Sequence, residues 1–448
     1  MHGRYEGQVI GVVGLGKTGL SACRYLRAGG ARVRASDTRP SLEADTDAEL
    51  RRSGVDLFLG GHPPAFFEGL DGVMVSPGVP LMSDPLRQAA ARGLRLVGDI
   101  EFAWPALEGP VVAITGTNGK STTTTLVGEM LKASGRRIFM GGNLGTPVFE
   151  AAGQKLDAIV LEVSSYQCET VEKFCPKVAV LLNITEDHLD RYPSFDDYAA
   201  AKLRLFRAMG ESDWAVLSAD DSAVVKGASS IRARRLWFSA NGRELPGDGI
   251  RLHGTLARYC VDGVTEDIDL ARSPLKGLHN RENLAAAILA ARLMGADWTA
   301  IRSVVQGFRG LPHRCVLVRE LNGAAYYNDS KATNVGATVR ALEGFAGNVI
   351  LLVGGVEKGG SYEPVRRKLG SIVSRVIAFG SSRDRLAAEL GGVVPVETAE
   401  TLPEAVRLAH GAAVPGDTVL LAPACASFDQ FRNYAHRGEV FEAEVGRL

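Results

Sequence analysis

The chain has 448 residues, of which 46% are hydrophobic, and it carries 51 Lys and Arg against 51 Asp and Glu, so its formal net charge is zero. At roughly 150 residues per domain, this length predicts about three domains. The zero net charge argues against a nucleic-acid-binding protein, because such proteins carry a strongly basic surface. Any anion-binding site must therefore arise from local placement of charges.

The six cysteines are scattered along the chain, and none forms a Cys-X-X-Cys pair. This spacing is typical of free thiols in a reducing compartment. The first residues lack the apolar core of a signal peptide, and no run reaches the roughly 18 apolar residues of a membrane span. We therefore expect a cytoplasmic protein without membrane insertion.

The first glycine-rich motif, residues 14–19, lies between a predicted strand and a predicted helix. Asp37 follows at the end of a second predicted strand, about 20 residues further on, as in dinucleotide-binding folds. Another apolar run, residues 71–75, leads to Ser76-Pro77-Gly78 and should reach the same rim. A complete second half of a dinucleotide domain is hard to fit here. A nucleotide with one sugar and a pyrophosphate is therefore favoured over NAD.

Residues 96–110 contain Gly, Pro and Trp and predict a linker into a second domain. The motif around which the chain is organised follows it: an apolar strand over residues 111–114, then Gly116-Thr-Asn-Gly-Lys-Ser121, then a helix over residues 121–132. The glycines let backbone N–H groups turn toward phosphate oxygens at a helix N-terminus. This order of elements predicts a site for a polyphosphate.

Within this loop, Lys120 can neutralise the outer phosphates and the Ser121 hydroxyl can bind an accompanying Mg²⁺. The strict P-loop pattern requires glycine at position 114, where this chain has Ile114. The alternative is an ordinary glycine turn before a helix. The Lys-Ser pair directly after the second glycine argues against that alternative.

Two further polar residues follow predicted strands in the same domain. Glu162 ends the apolar run 156–160, close to where the phosphate loop should lie, and is a natural Mg²⁺ ligand. The alternative is a solvated glutamate at a strand end. His188 follows the run 178–182, and its sequence position leaves a structural and a functional role equally open. Asn143 lies in a glycine turn at residues 140–145.

Lys202 lies in the middle of the apolar face of a helix predicted over residues 194–209. Periodicity alone favours a snorkelling lysine, with its stem packed and its ammonium in water. The alternative is a lysine turned toward a site, where desolvation lowers its pKa and a neutral amine can react.

The remaining chain divides into three parts. Residues 211–275 are irregular and predict a small β-rich elaboration without identifiable chemistry, and a helix with a polar first turn begins at Leu278. A second domain boundary falls near residues 307–311. Beyond it, strands alternate with helices, and Asn328-Asp-Ser-Lys-Ala-Thr-Asn334 follows one predicted strand, which indicates a third α/β unit with a ligand site.

Together these features predict an α/β protein of three domains. Residues 1–97 would form a Rossmann-like N-terminal domain, residues 98–310 a P-loop-type central ATPase domain with a parallel sheet, and residues 311–448 a Rossmann-like C-terminal domain. A simple NTPase switch would not need the first unit, and a dehydrogenase would not need the second. The combination suits ATP-driven joining of two substrates.

Five motifs are distinctive in combination: Gly116-Thr-Asn-Gly-Lys-Ser121, Glu162-Val-Ser-Ser, Asp187-His188, Leu311-Pro-His-Arg314 and Asp329-Ser-Lys331-Ala-Thr-Asn334. They resemble those of the Mur ligase family, in which Ile114 is usual. Residues 14–21, 427–434 and 437–438 resemble the members that add D-glutamate to UDP-N-acetylmuramoyl-L-alanine in peptidoglycan synthesis. The resemblance covers the whole chain and implies a cytoplasmic, ATP-dependent ligase that forms an acyl phosphate, which we expect to be a monomer.

The resemblance implies a role for each matching position. The UDP-substrate would contact Gly14, Leu15, Lys17, Thr18, Asp37, Thr38, Arg39, Ser76, Gly78 and Asn143. ATP would contact Gly116, Thr117, Asn118, Gly119, Lys120, Ser121, Thr122, Asn280, Arg314 and Asp329. D-Glutamate would contact Lys331, Thr333, Lys358, Ser427 and Tyr434. Two Mg²⁺ ions would be held by Ser121, Glu162, His188 and Lys202.

The catalytic residues implied in the same way are Lys120, His188 and Lys202. Lys202 would match the family's carbamylated lysine, whose carbamate bridges to a magnesium ion, and this replaces the snorkelling interpretation. His188 would also reach the muramoyl-alanine end of the substrate.

Two alternatives from other classes stay open, a folylpolyglutamate synthase-like ligase and a nucleotide-binding regulator. A folylpolyglutamate synthase-like ligase shares the ATP loop, but Gly14 and Asp37 argue against it because it needs no UDP-binding domain. Sibling ligases that add meso-diaminopimelate should carry an Asp-Asn-Pro-Arg-like motif in the third domain, and the chain has none. A nucleotide-binding regulator would bind ATP without substrate-dependent turnover.

Overall fold

The computed structural model describes residues 3–143, 145–188, 191–275 and 277–448. Three β-sheets, each flanked by helices, follow one another along the chain, as predicted. They span residues 9–98, 111–269 and 316–421. The domain boundaries after residues 97 and 310 stay a prediction.

The N-terminal sheet has five parallel strands in the order β3-β2-β1-β4-β5. Its elements are β1 (Val9–Val13), α1 (Lys17–Ala28), β2 (Arg32–Asp37), α2 (Ala44–Arg52), β3 (Val55–Leu59), α3 (Pro64–Phe67), β4 (Gly72–Val75), α4 (Asp84–Ala91) and β5 (Leu96–Gly98). The predicted linker at residues 96–110 is partly wrong. Its first residues form β5, and α5 (Asp99–Ala103) follows with a short 3₁₀ turn, so regular structure continues into the second domain.

The central sheet has nine strands in the order β14-β13-β12-β11-β10-β9-β6-β8-β7. Its elements are β6 (Val111–Thr115), α6 (Lys120–Ala133), β7 (Ile138–Gly142), β8 (Ala158–Glu162), α7 (Ser165–Cys168), β9 (Val178–Leu181), α8 (Phe195–Leu203), β10 (Trp214–Ser218), α9 (Ser222–Gly227), β11 (Arg234–Ser239), β12 (Gly249–His253), β13 (Leu256–Val261), β14 (Val264–Asp269), α10 (Leu278–Leu293) and α11 (Trp298–Gly307). All five residues of β6 are buried, because helices cover both faces of this parallel part.

Two details of the central domain differ from expectation. Residues 211–275 do not form a separate elaboration, because β10, β11 and β12 continue the parallel sheet and only β13 and β14 are antiparallel. The helix predicted over residues 194–209 ends at Leu203 and continues as a 3₁₀ turn. Ser194 caps its start by accepting a hydrogen bond from the Asp197 backbone N–H.

The C-terminal sheet has six strands in the order β15-β16-β20-β17-β18-β19, parallel except for β15. Its elements are β15 (Val316–Leu321), β16 (Ala324–Asn328), α12 (Val335–Leu342), β17 (Val349–Gly354), α13 (Glu363–Arg366), β18 (Val373–Phe379), α14 (Arg383–Leu390), β19 (Val396–Ala399), α15 (Leu402–Ala412), β20 (Thr418–Leu421) and α16 (Tyr434–Arg447).

The two junctions between domains differ in chemistry. The N-terminal and central domains share an apolar core, in which the ring centroids of Tyr25 and Phe149 lie 5.2 Å apart. The central and C-terminal domains meet through polar contacts such as Arg340 Nη1 donating to Glu282 Oε2 at 2.6 Å. Apolar burial stabilises the first junction, whereas the second depends on charge and hydrogen bonding. In the described part of the chain, no helix combines the length and apolarity needed to cross a membrane.

Candidate active site

A cavity of about 340 Å³ lies between the central and C-terminal domains, at the carboxyl ends of the central strands. This is the edge at which open α/β sheets bind ligands. The cavity brings together most of the predicted site residues. Those that line it are Thr117, Asn118, Gly119, Lys120, Ser121, Thr122, Asn143, Glu162, His188, Lys202, Asn280, Arg314, Asp329, Lys331, Thr333 and Lys358.

The phosphate loop connects β6 to α6 and is held open by two glycines. Gly116 has φ 150° and Gly119 has φ 87°, conformations that side-chain-bearing residues rarely adopt. A Cβ on Gly119 would lie 2.2 Å from Asn283 Oδ1. Asn183 braces the loop, because its side chain accepts the Asn118 backbone N–H at 2.8 Å and donates to the Asn118 carbonyl at 3.1 Å. The loop is therefore built before any ligand arrives.

Lys120 folds back over the loop, and its Nζ donates to the carbonyl oxygens of Gly116 and Thr117, both at 2.8 Å. Burial lowers the pKa of Lys120. Arg314, from the C-terminal domain, donates through Nη2 to Ser121 Oγ at 2.7 Å. A cation from the third domain thus contacts the residue predicted to hold Mg²⁺.

Lys202 does not snorkel, so the interpretation from periodicity is wrong. It is 1% exposed, its Nζ donates to the Gly116 carbonyl at 2.9 Å, and it lies 4.6 Å from the centroid of the Tyr198 ring. Burial lowers its pKa to about 7. The stripe of apolar residues on α8 therefore turns this lysine inward, beneath the phosphate loop.

The cavity is rich in desolvated cations. Lys331 stands 4.0 Å from the centroid of the Tyr434 ring, and burial together with Arg314 lowers its pKa to about 7. Lys120 and Lys202 show pKa shifts in the same direction. Concentrating positive charge in a desolvated space is unfavourable unless an anion compensates it. The arrangement is that expected of a site for polyanionic ligands.

Glu162 ends β8 and faces the cavity. Its Oε1 accepts a hydrogen bond from Asn143 Nδ2 at 2.5 Å. Its Oε2 is buried and, within the part of the chain that the structure describes, has no hydrogen-bonding partner. A buried carboxylate oxygen aimed at a phosphate site is the kind of ligand that Mg²⁺ takes, and it argues against the solvated alternative.

The residues of this site suit a Mg²⁺ ion that is bound partly by the protein and partly by a nucleotide. Among residues 3–143, 145–188, 191–275 and 277–448, no three His, Cys, Asp or Glu side chains group closely enough to hold a metal ion by themselves. Mg²⁺ commonly binds one or two protein oxygens and completes its shell with phosphates and water. Glu162 and Ser121 suit that role.

Asp187 lines the cavity, although it was not among the predicted site residues. Its carboxylate lies 3.6 Å from Lys358 Nζ and accepts a hydrogen bond from Asn334 Nδ2 at 2.9 Å. Burial by itself would raise the pKa of Asp187, but Lys358 and His188 hold it below its usual value. Asp187 thus joins the central domain to two residues of the C-terminal domain.

His188 is held in an unusual backbone conformation, with φ 56°. Its Nδ1 lies 2.7 Å from the Tyr166 hydroxyl, and its Nε2 lies 3.6 Å from Asp187 Oδ2. Left-handed backbone at a bulky residue is strained and persists only where surrounding contacts impose it. The surrounding contacts therefore hold the His188 side chain in the cavity.

The C-terminal residues divide into two groups. Asp329 lies in the cavity, where burial raises its pKa to about 7 although Arg314 opposes this. Ser427 is buried and, like Tyr434, is not among the residues that line the cavity, although Tyr434 supports Lys331 from beneath.

The predicted UDP residues of the N-terminal domain form a separate rim. Asp37 Oδ2 accepts the Leu15 backbone N–H at 2.7 Å, and Arg39 pairs with the same carboxylate at 2.9 Å. Burial alone would raise the pKa of Asp37, but these hydrogen bonds lower it to about 2. Ser76 Oγ donates to the Gly14 carbonyl at 2.7 Å. Asp37 and Ser76 thus shape the rim, while Lys17 and Thr38 are exposed on it.

Several residues that build the site were not given a role from sequence. Asp187 and Asn183 lie in polar segments after strands, so a signal for them was present, and Asn334 closes the run 328–334 that was predicted to carry a ligand site. Tyr166 lies inside α7, and only its packing against the cavity reveals it, whereas Asn283 belongs to the polar start of α10 that the sequence already showed.

Comparison with known proteins agrees with this architecture. Residues 8–98 match the Mur ligase MurD-like N-terminal domain, residues 114–291 the Mur ligase middle domain, and residues 313–425 the Mur ligase glutamate ligase domain. The chain belongs to the Mur ligase family.

Within the family, its similarity to curated relatives is high. A UDP-N-acetylmuramoylalanine–D-glutamate ligase of Acidobacterium capsulatum is 45% identical over 442 residues, covering 98% of this chain and 96% of that protein. The enzyme of the same name from Syntrophotalea carbinolica is 44% identical over 445 residues, covering 99% and 98%.

Solved structures share the fold at lower identity. A pseudomurein peptide ligase type C from Methanothermus fervidus gives a TM-score of 0.62 at 19% identity, covering 98% of this chain and 100% of that one. A MurF ligase from Thermotoga maritima, solved in complex with ADP, gives 0.59 at 20% identity, covering 99% and 96%. These likenesses concern the three-domain fold.

Proposed function

We propose that this chain adds D-glutamate to UDP-N-acetylmuramoyl-L-alanine at the expense of ATP, through an acyl phosphate, in cytoplasmic peptidoglycan precursor synthesis. The observation that carries the proposal is the single cavity in which the phosphate loop meets the lysines of the C-terminal domain. The near-full-length relatives that share 44–45% of their residues bear the name of that ligase. We further propose that the enzyme is a monomer.

Three subsites follow from the position of each group. The phosphate loop with Asn280, Arg314 and Asp329 would hold ATP. The N-terminal rim would hold the uridine diphosphate, with Asn143 and His188 toward the alanyl end. Lys331, Thr333, Lys358, Ser427 and Tyr434 would take D-glutamate, and the Tyr434 ring also lies beside Lys331. Two lysines suit a substrate that carries two carboxylates.

In the first step, an oxygen of the alanyl carboxylate forms a bond to the γ-phosphorus of ATP. The bond from that phosphorus to the bridging oxygen breaks, and ADP leaves. Lys120 offsets charge on the transferring group, and Arg314 adds a second cation beside Ser121. Two Mg²⁺ ions, held by Ser121, Glu162, His188 and Lys202, would supply further charge compensation when bound.

In the second step, the amine nitrogen of D-glutamate forms a bond to the acyl carbon. The bond from that carbon to the phosphate oxygen breaks, phosphate leaves, and the nitrogen loses a proton. Asp187 fixes both Lys358 and His188, so the amino acid and the acyl group would be aligned by one carboxylate. Closure of the three domains around the substrates would exclude water from the acyl phosphate.

Lys202 would act as a carbamate. A lysine with a pKa of about 7 is partly neutral at neutral pH, and a neutral amine adds CO₂ with release of a proton. The resulting anion would lie beneath the phosphate loop and balance the surrounding cations.

The test is phosphate release from ATP with UDP-N-acetylmuramoyl-L-alanine and, in turn, D-glutamate, L-glutamate or meso-diaminopimelate. The proposal predicts turnover with D-glutamate alone. Turnover with meso-diaminopimelate instead would reassign the substrate. ATP binding without turnover for any amino acid would favour a nucleotide-binding regulator and overturn the ligase assignment.

A further inference from the structure

A shielded ion pair lies between the N-terminal rim and His188. Arg191 donates through Nη2 to Glu169 Oε2 at 2.6 Å and through Nε to Glu169 Oε1 at 3.1 Å. The two side chains are only 14% and 17% exposed. The Tyr192 hydroxyl also donates to Glu169 Oε1, at 2.6 Å. A two-point pair with so little exposure fixes the plane of the guanidinium.

With its guanidinium held in this orientation, Arg191 contacts both sides of the domain junction. Its Cζ lies 4.1 Å from the centroid of the Tyr166 ring, within the range of a cation–π interaction. Its Nη1 donates to the Pro77 carbonyl at 3.4 Å. Pro77 stands between Ser76 and Gly78, two residues of the predicted nucleotide rim.

On the other side, the same residues impose the conformation of His188. The Tyr166 hydroxyl lies 2.7 Å from His188 Nδ1. The backbone N–H groups of Arg191 and Tyr192 both donate to the His188 carbonyl at 3.0 Å. These contacts supply the constraint that a left-handed backbone at His188 requires.

We propose that Arg191 is a positioning residue that links the nucleotide rim at Pro77 to His188 through Tyr166. This inference rests on the proposed function, because it gives His188 a place beside the reacting groups. Arg191 itself touches no reacting atom. It holds the Tyr166 ring in place, and the ring carries the hydroxyl that orients the imidazole. Lysine cannot reproduce these contacts, since an ammonium does not pair with a carboxylate at two points.

The experiment compares Arg191→Lys, Tyr166→Phe and the double variant by steady-state kinetics of the full chain. Arg95→Lys is the matched control, because Arg95 pairs with Glu172 at the same domain junction, at 3.5 Å. We expect Arg191→Lys to lower kcat at least about ten-fold, as misplacement of a reacting group does. The KM for ATP should match that of the Arg95→Lys control, and the loss of kcat should persist at a temperature well below the melting point of the Arg191→Lys variant.

The double variant separates a relay from two independent effects. If Arg191 acts through Tyr166, its kcat should equal that of the poorer single variant within about two-fold, whereas independent roles would multiply. Multiplying losses, or a kcat for Arg191→Lys equal to that of the control, would overturn the proposal.

Two further measurements allow the proposal to be tested whatever the behaviour of the Arg191→Lys variant. Should Arg191→Lys fail to fold, Tyr166→Phe still tests the relay, because it removes only a hydroxyl, and wild-type kcat for that variant would refute it. Wild-type turnover with D-glutamate is measured in parallel. Its absence would count against the proposed function, whereas normal wild-type turnover with an unaffected Arg191→Lys variant would count against this inference alone.

Discussion

Replacing Lys202 with methionine should stabilise the fold while abolishing turnover. Lys202 is 1% exposed, and its ammonium contacts a carbonyl oxygen and an aromatic ring. Methionine has a similar length and no charge to desolvate. The Gly116 carbonyl keeps its hydrogen bond from Lys120 at 2.8 Å, so the substitution leaves no buried acceptor unpaired.

The size of the effect follows from the pKa of Lys202. The difference between the usual 10.5 and about 7 in the folded chain corresponds to at most about 5 kcal/mol against the charged form. Relaxation around the site and the lost hydrogen bond reduce this, and we expect a gain of about 2 kcal/mol at pH 7.

The sign of the pH dependence is fixed by proton binding. Between about pH 7 and pH 10.5 the unfolded chain keeps the proton on Lys202 and the folded chain does not. Stability of the wild type therefore rises with pH across this window. The advantage of Lys202→Met should be fully present near pH 7 and should disappear toward pH 10.

The assay is urea unfolding at pH 7, 8.5 and 10 in CO₂-free buffer, so that no carbamate forms. Lys226→Met is the matched control, because the side chain of Lys226 is 82% exposed, and its stability should follow the wild type at every pH. The reasoning would be refuted if Lys202→Met were less stable than the wild type at pH 7. An advantage that did not change with pH would refute it equally.

Three other substitutions test separate parts of the site. Gly119→Ala should weaken ATP binding at least about a hundred-fold, because its Cβ would lie 2.2 Å from Asn283 Oδ1. The control is Gly135→Ala, which is also at positive φ but has open space around it, and it should bind ATP normally in calorimetry. Asp37→Asn should lower the free energy of unfolding by about 1 kcal/mol at pH 7, allowing for solvent screening. This loss of stability should vanish as the pH falls from 4 to 2, because the wild-type carboxylate gains its proton there. Equal losses at pH 7 and pH 2.5 would contradict this. Glu162→Gln should raise the Mg²⁺ concentration needed for half-maximal turnover. It should not lower thermal stability, since the buried Oε2 has no hydrogen-bonding partner among the described residues to lose. An unchanged Mg²⁺ requirement would be the contrary result.

The phosphate loop and its neighbours were predictable from sequence because local pattern and sheet geometry agree there. A strand, a glycine turn and a Lys-Ser pair specify the loop, and parallel strands end at one edge. Glu162 and His188, which follow two other strands, therefore meet Lys120 in one cavity. The polar run 328–334 marked Lys331 as part of a ligand site, but only family resemblance placed Lys331 and Arg314 in the same site as the phosphate loop, since nothing local brings the third domain to that edge.

Other features depend on packing between distant segments, which periodicity does not encode. An apolar stripe with one lysine favours snorkelling, and only the loop above α8 makes Lys202 a buried donor. Asp187 contacts several polar residues because Lys358 and Asn334 approach it from another domain. β13 is exposed on alternate residues and β14 on most of its residues, so both lack the continuous apolar run that revealed β6.

The most direct test of the account follows oxygen atoms from substrate to product. UDP-N-acetylmuramoyl-L-alanine labelled with ¹⁸O in the alanyl carboxylate would be converted with ATP and D-glutamate, and the released phosphate analysed by mass spectrometry. If the carboxylate attacks the γ-phosphorus in the shared cavity, each phosphate carries one ¹⁸O from the substrate. Unlabelled phosphate, released alongside the peptide product, would contradict an acyl phosphate and with it the joining chemistry assigned to this site.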